Sequence, residues 1–154
     1  MTAKVIQATE EHAKQLAPNL RPHEMEEVSV VSPDKSTEEI LKDCIAISET
    51  AYAVVTDDDS CVAMFGVSAV SEDAGVPWML ASELFFTKYK KRFIKETPDY
   101  LDKLFGKRTH LYNYVSVKNV LSQQWLKHLG FTIHKDKPIT FKDVDFYTFE
   151  QTRK

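Results

Sequence analysis

The chain has 154 residues, of which 43% are hydrophobic and 28% charged, and its formal net charge is −3. This length and composition predict one globular domain, residues 1–154, with a single hydrophobic core, and argue against a mainly disordered or fibrous chain. The near balance of charges gives no overall attraction to nucleic acid or to an anionic membrane. No apolar run approaches the roughly 20 residues of a membrane-spanning helix.

The two cysteines, Cys44 and Cys61, fall in a predicted helix and a predicted strand. The N-terminus has no basic segment followed by an apolar one, so it does not resemble a secretory signal. We therefore expect a reduced, cytosolic-type protein in which both thiols pack as small hydrophobic side chains.

The N-terminal third of the chain predicts a strand followed by three helices. Pro22 suits the first position of the second helix. Ser36 and Glu39 form a capping box at the start of the third, because each side chain can bond the backbone N–H of the other residue. The predicted ranges are 4–8 for the strand and 9–17, 22–31 and 36–47 for the helices.

Three strands are predicted next, and the first two form an antiparallel hairpin. Residues 52–55 and 61–70 are rich in Val, Ala and aromatic side chains, and an acidic turn at 57–59 separates them. This composition is typical of strands. The third strand, residues 76–82, begins with Pro77, which is tolerated at a strand start.

A basic amphipathic helix is then predicted from Phe85 to Lys95. Its basic side chains form either a patch for the phosphates of a nucleotide cofactor or nucleic acid, or the solvated face of the helix. Phe85 and Phe86 cannot both face one core, so we expect one of them to line a cleft or a partner surface. Thr97–Pro98 predicts an interruption, after which a further helix runs to Phe105.

The stretch 110–131 changes its hydrophobic period once. Residues 110–117 have the composition of a strand, and the apolar side chains that follow recur with helical spacing. Asn119 can cap the start of this helix, and Gly130 suits its end, where the chain needs a positive φ.

Two closing strands, residues 131–134 and 145–149, are predicted on either side of a turn at Lys137–Pro138. The strands at 76–82 and 110–117 are joined by a helix, and such connections link parallel strands. We therefore predict a mostly antiparallel sheet with one parallel pair.

One spacing in the stretch 110–131 is Asn119, then Ser122 three residues later, then Leu129 to Phe131. In this spacing the sequence resembles the last strand–helix–strand unit of the GNAT N-acetyltransferase superfamily. Together with Trp78 to Leu80 and Leu111 to Val115, these residues are most similar to small acetyltransferase-like proteins of short-tailed bacteriophages, labelled internal virion protein A. The resemblance implies a GNAT-like α/β fold, with a mixed twisted sheet and helices on both faces.

The same resemblance implies acetyl-CoA as cofactor, with its pantetheine arm in a gap between the two parallel strands. The sequence departs from the family twice. Residues 83–88 contain no glycine that would let the backbone curl around a pyrophosphate, and Leu126 stands where many members have a Tyr that protonates the leaving thiolate. The implied cofactor-binding residues are Leu80, Ala81, Ser82, Lys88, Asn119 and Ser122.

Glu83, at the end of a central strand, is the predicted proton acceptor for an amine. Its alternative role is to stabilise the start of the next helix. Tyr114 or Ser116, on the adjacent strand, can supply the hydroxyl that Leu126 lacks.

Arg21, Glu24 and Glu27 share one helical face, where the resemblance places the acceptor side of the cleft. The alternative is a surface ion pair of little energetic value. The histidines are too dispersed for a metal-ligand pattern, so no metal is predicted.

Two functions follow from the resemblance and its departures. The first is an acetyl-CoA-dependent N-acyltransferase that acts on a small amine or a protein amino group. The second is a catalytically inactive phage accessory protein with the same fold, which acts with virion proteins in assembly or genome delivery. Both imply a location in the host cytoplasm, the second with virion association. The sequence does not identify the acceptor or the oligomeric state.

Overall fold

A computed structural model describes residues 3–153, without the side chain of residue 92. The strands are β1 (Ala3–Gln7), β2 (Ser48–Thr56), β3 (Cys61–Ala69), β4 (Ala74–Ala81), β5 (His110–Ser116), β6 (Thr132–Phe141) and β7 (Val144–Thr152). They form one sheet with the order β1-β2-β3-β4-β5-β7-β6. All neighbouring strands are antiparallel except β4 and β5, so the predicted parallel pair is confirmed.

The helices begin where the sequence predicts caps. Pro22 is the first residue of its helix, and Ser36 and Glu39 exchange side-chain to backbone hydrogen bonds of 3.2 Å. A 3₁₀ turn, Ala17–Asn19, follows the first helix, and a π-helix, Phe85–Tyr89, leads into the fourth. The helices are α1 (Glu10–Leu16), α2 (Pro22–Val31), α3 (Thr37–Ile47), α4 (Lys90–Phe105) and α5 (Val120–His128).

The sheet is covered on both faces. Ala53 and Val55 pack with α1 and α3 around Leu41, whereas Val54 faces the cluster of α4 and α5 around Phe85. Alternate residues of a strand point to opposite faces, so one strand serves both cores. Burying each large side chain contributes roughly 1.5–3 kcal/mol. Among the residues described, no helix is long and apolar enough to cross a membrane.

The predicted interruption at Thr97–Pro98 is wrong, because α4 continues through Pro98. The Thr97 hydroxyl donates to the carbonyl of Phe93 at 2.8 Å. Phe93 and Leu101, on either side of the proline, are both buried in one core. A proline inside a helix costs about 3 kcal/mol, and we infer that the burial on both sides offsets this cost.

The turn predicted at Lys137–Pro138 is also wrong. β6 continues to Phe141, with a register shift against β7 between His134 and Ile139. The reversal occurs instead at Lys142–Asp143, where φ is 49° and 68°. Two successive positive φ values are typical of the type I′ turn that joins the two strands of a tight hairpin.

Two strands begin earlier than predicted. β2 starts at Ser48, because Ser48 still pairs with Ser68 of β3 beyond a bulge between Ser48 and Thr50. β4 starts at Ala74, which places Pro77 inside the strand. Successive residues of β4 direct their N–H groups alternately toward β3 and β5. Pro77, which has no N–H, is at a position that faces β5, so its pairing with β3 is preserved.

Candidate functional site

The candidate site lies where β4 and β5 separate. Their described backbone pairs are Ala74 with His110 and Gly75 with Leu111. The Asn113 side chain then donates to the carbonyl of Pro77 at 2.7 Å. Beyond this contact the strands diverge, and we call the opening between residues 77–81 and 113–116 the splay cleft.

The segment before α2 is attached to the end of β4. Leu20 forms a β-bridge with Ser82, and the N–H of Arg21 donates to the carbonyl of Ala81 at 3.3 Å. Because α2 begins at the next residue, its first turns lie at the carboxyl end of β4.

Two carboxylates of α2 reach opposite walls of the splay cleft. Glu24 Oε1 accepts the Ala81 N–H at 3.1 Å. Glu27 Oε1 accepts the Ser116 N–H at 3.0 Å and the side-chain amide of Asn119 at 3.1 Å. One helix therefore satisfies backbone donors of both diverging strands.

A buried arginine links these groups to α5. Arg21 Nη2 donates to Asn119 Oδ1 at 3.0 Å, and Arg21 Nη1 lies 3.8 Å from Glu24 Oε1. Arg21 and Glu24 are only 4% and 2% exposed. The interpretation of these residues as a surface ion pair is therefore wrong, although the prediction that they share one face with Glu27 holds.

Burial shapes the protonation of both carboxylates. It raises the pKa of Glu24 to about 8, against the opposing effect of the Arg21 guanidinium. It also raises the pKa of Glu27, against the hydrogen bond from Asn119. Glu24 Oε2 is buried without a hydrogen-bond partner, as is Arg21 Nη1. An unsatisfied buried oxygen costs about 1–3 kcal/mol and favours the neutral acid.

A cavity of about 650 Å³ occupies the splay cleft and continues to both faces of the sheet. Its walls are mainly apolar, and Phe86 is one of them, whereas Phe85 is fully buried in the core. This is the division of roles predicted for the adjacent phenylalanines. The volume is in the range of small-molecule sites.

The predicted backbone donors of β4 point in two directions. The Ser82 N–H donates to Val62 of β3 at 2.9 Å, and alternation directs the Leu80 N–H the same way. The Ala81 N–H faces the cleft, where Glu24 accepts it. Alternation also directs the Met79 N–H toward the cleft.

Glu83 and Lys88 lie outside the cavity lining and are exposed. Glu83 Oε2 is 3.7 Å from Arg21 Nε, so its described ion-pair partner is a buried arginine. The guanidinium of Arg21 also stacks 4.4 Å from the Phe86 ring centre.

The predicted hydroxyls differ in access. Ser116 is fully buried and its Oγ accepts the Lys118 N–H at 3.3 Å. Tyr114 is 51% exposed and lines the cavity, as do Ser122 and Leu126. Within residues 3–153, no three His, Cys, Asp or Glu side chains are placed to hold a metal ion.

The loop after β4 does not form a phosphate cradle. The chain passes from Ser82 through Glu83 and Leu84 directly into the π-helix, whose first residue, Phe85, is fully buried. A buried aromatic side chain fixes this backbone against the core, which a glycine would not do.

Sequence reasoning missed Gln123 and Asp43. The buried Gln123 amide donates to the carbonyls of Ser116 and Val117 at 3.0 and 2.9 Å, which holds the end of β5. Its signal was a polar residue one turn after Asn119. Asp43 lines the cavity from α3, and no local pattern marks it.

Comparison with known proteins gives two kinds of match. A family model described as "Bacteriophage T7, probable scaffold protein Gp13" matches residues 59–137, just over half of the chain. No curated protein matches the sequence.

Solved acetyltransferases share the fold. Spermidine N-acetyltransferase from Vibrio cholerae, in complex with CoA and spermine, has a TM-score of 0.69 at 12% identity, covering 98% of this chain and 95% of that one. AAC(6′)-Ib, in complex with ribostamycin and coenzyme A, has a TM-score of 0.67 at 14% identity, covering 99% of this chain and 94% of that one. A GNAT-family acetyltransferase from Streptococcus pneumoniae has a TM-score of 0.61 at 11% identity, covering 98% of this chain and 99% of that one. The predicted GNAT-like fold is confirmed, and at such low identity the likeness shows the fold alone.

Proposed function

The chain belongs to the family described as bacteriophage T7 probable scaffold protein Gp13, and we propose that it is a phage accessory protein that acts in virion assembly or genome delivery. In this proposal it keeps the acetyltransferase fold without the reaction. It works in the host cytoplasm and associates with virion proteins. The likeness to proteins labelled internal virion protein A stays a prediction.

One observation carries the proposal: the chain's own carboxylates occupy the donors of the splay cleft. Glu24 takes the Ala81 N–H and Glu27 takes the Ser116 N–H. With the Glu24 carboxyl neutral, the hydrogen bond from Ala81 contributes about 0.5–1.5 kcal/mol. A thioester carbonyl that took this N–H would leave both oxygens of the buried Glu24 side chain without a donor, which costs about 1–3 kcal/mol.

Two departures from the family pattern support the same conclusion. The segment after β4 has no glycine and is held by the buried Phe85. Leu126 lines the cavity where the resemblance implies a tyrosine acid, and its side chain cannot donate a proton. Binding of the pyrophosphate and protonation of the thiolate both lack their usual groups.

The test combines acetyl-CoA binding with particle analysis. A ligand at 100 times its dissociation constant stabilises a fold by about 2.7 kcal/mol. We expect no rise in melting temperature with millimolar acetyl-CoA. We also expect the protein to copurify with procapsids or mature particles. The proposal is refuted if acetyl-CoA stabilises the protein and is consumed with an amine, while the protein is absent from particles.

A second candidate is an acetyl-CoA-dependent N-acyltransferase, favoured by the cavity beside Glu24. A carboxyl with a pKa of about 8 can accept a proton from an ammonium group once it is ionised. Tyr114, which lines the cavity, or Glu83, which lies outside the lining, would then assist. Release of free CoA with spermine or ribostamycin as acceptor would support this function, and a Glu24→Gln variant should abolish it.

A further inference from the structure

Exposed apolar side chains are concentrated in the lining of the cavity. Of the nine large hydrophobic residues exposed in the described part of the chain, five line this cavity. Single exposed apolar residues are ordinary, whereas a cluster indicates an interaction site. We call these five the cleft rim: Val31, Ile47, Tyr114, Ile139 and Phe141.

The cleft rim is built from four separate elements. Val31 and Ile47 are the last residues of α2 and α3, Tyr114 lies on β5, and Ile139 and Phe141 lie on β6. Their exposed fractions run from 46% for Ile139 to 71% for Val31. Helix ends and strands therefore both contribute exposed apolar side chains to the lining of this cavity.

The charge of the cavity has one sign. Its acidic lining residues are Glu24, Glu27 and Asp43, of which Asp43 forms an ion pair with Lys35, and no Lys, Arg or His of the described part lines it. The nearest buried cation, Arg21, lies 3.8 Å from Glu24 Oε1 and donates to Asn119. Glu24 Oε2 has no hydrogen-bond partner, and its residue is 2% exposed and faces the cavity. An apolar cavity that holds a buried carboxyl oxygen without a hydrogen-bond donor is complementary to an apolar group that carries a cationic donor, because a cation placed there favours the ionised form of Glu24.

We propose that the cleft rim and cavity are the docking surface for a segment of another virion protein that presents one lysine or arginine between apolar side chains. The apolar side chains pack on the cleft rim, and the basic side chain enters toward Glu24 and Glu27. This inference rests on the proposed function and names the chemistry of its partner.

A protein segment fits this surface better than a free amine does. A free amine would bind inside the cavity and leave Val31 and Ile47 in contact with water, since these side chains are 71% and 67% exposed. A segment covers the cavity and the cleft rim together. Protein interfaces typically combine a buried anchor with a surrounding ring of contacts that excludes water.

The test compares uptake of full-length variants into procapsids and mature particles of a phage lacking the wild-type copy. Ile139→Ser combined with Phe141→Ser should lower the copies per particle about tenfold, equivalent to about 1.4 kcal/mol. Val31→Ser provides an independent rim change if the double variant folds poorly. Val70→Ser, at a residue 55% exposed and outside the cavity, should be taken up normally.

A charge comparison tests the basic anchor. Asp43→Lys places a positive charge in the cavity wall and should reduce uptake, whereas Glu72→Lys, an exposed site outside the lining, should not. A photo-crosslinking amino acid, p-benzoylphenylalanine, at position 141 should attach to another virion protein. The crosslinked segment should contain a lysine or arginine flanked by apolar residues.

Three results would overturn the docking surface. The first is uptake of the rim variants equal to that of Val70→Ser. The second is a crosslink only to a second copy of this chain. The third is stabilisation by millimolar spermine with uptake unaffected by the rim variants, which identifies a small polyamine as occupant. Absence of the unaltered protein from all particles would instead overturn the proposed function together with this inference.

Discussion

Replacing Glu24 by glutamine should make the stability of the protein less dependent on pH. Glutamine keeps an oxygen that can accept the Ala81 N–H, so the contact at 3.1 Å can persist. It removes a carboxyl whose ionisation is opposed by burial. The free energy of unfolding of the variant, measured relative to that of the wild type, should therefore increase as pH rises.

The sign and size follow from the pKa of Glu24. Burial raises it from 4.5 to about 8, so the folded chain holds this proton more tightly than the unfolded chain. Stability from this group is fully present below pH 4.5 and is lost as pH rises toward about 8. The full difference corresponds to about 5 kcal/mol, of which about 3 kcal/mol is lost by pH 7, at about 1.4 kcal/mol per pH unit.

Urea unfolding followed by circular dichroism at pH 5, 6, 7 and 8 measures the effect. The stability of Glu24→Gln relative to the wild type should increase by a few kcal/mol across this range. Glu72→Gln, at an exposed site, is the matched control and should show a constant difference. A flat difference for Glu24→Gln would mean that Glu24 is ionised throughout, and the account of the buried network would be wrong.

Three further changes probe the surroundings of the cleft. Asn119→Ala should lower stability by about 2–4 kcal/mol in urea unfolding, because this fully buried side chain caps α5 and bonds Arg21 and Glu27. A loss below 0.5 kcal/mol would contradict the network. Gly130→Ala should cost about 1–3 kcal/mol, since φ is +93° and a Cβ would lie 2.5 Å from a neighbouring glutamine nitrogen. Gly106→Ala, with its nearest atom at 3.9 Å, is the milder control. Burial raises the pKa of Cys61 to about 11, so iodoacetamide at pH 8 should modify the folded protein about a hundredfold more slowly than the urea-unfolded chain. Equal rates would show that the thiol is accessible.

Local signals in the sequence located many of the element boundaries. Ser36 with Glu39, and Asn119 with Ser122, make hydrogen bonds between residues three apart, so a short stretch of sequence specifies them. The predicted parallel pair also follows from local information, because a helix between two strands constrains their direction. These interactions depend little on the rest of the chain.

Where packing competes with a local signal, the sequence prediction failed. Pro98 should end a helix, but the buried side chains of Phe93 and Leu101 lie on both sides of it. The chain does not turn at 137–138, because pairing with β7 resumes at Ile139 after the register shift and continues to Phe141, so that the reversal falls at 142–143. Burial and strand pairing act over the whole sheet and outweigh single-residue preferences.

The site itself was decided by the tertiary structure. The sequence placed Arg21, Glu24 and Glu27 on one helical face and assigned them to an acceptor site. It could not show that Glu24 meets Ala81, 57 residues away, or that Glu27 meets Ser116, 89 residues away. These contacts exist because the strands diverge and α2 lies across their ends, which makes the carboxylates buried acceptors of backbone donors rather than solvated charges.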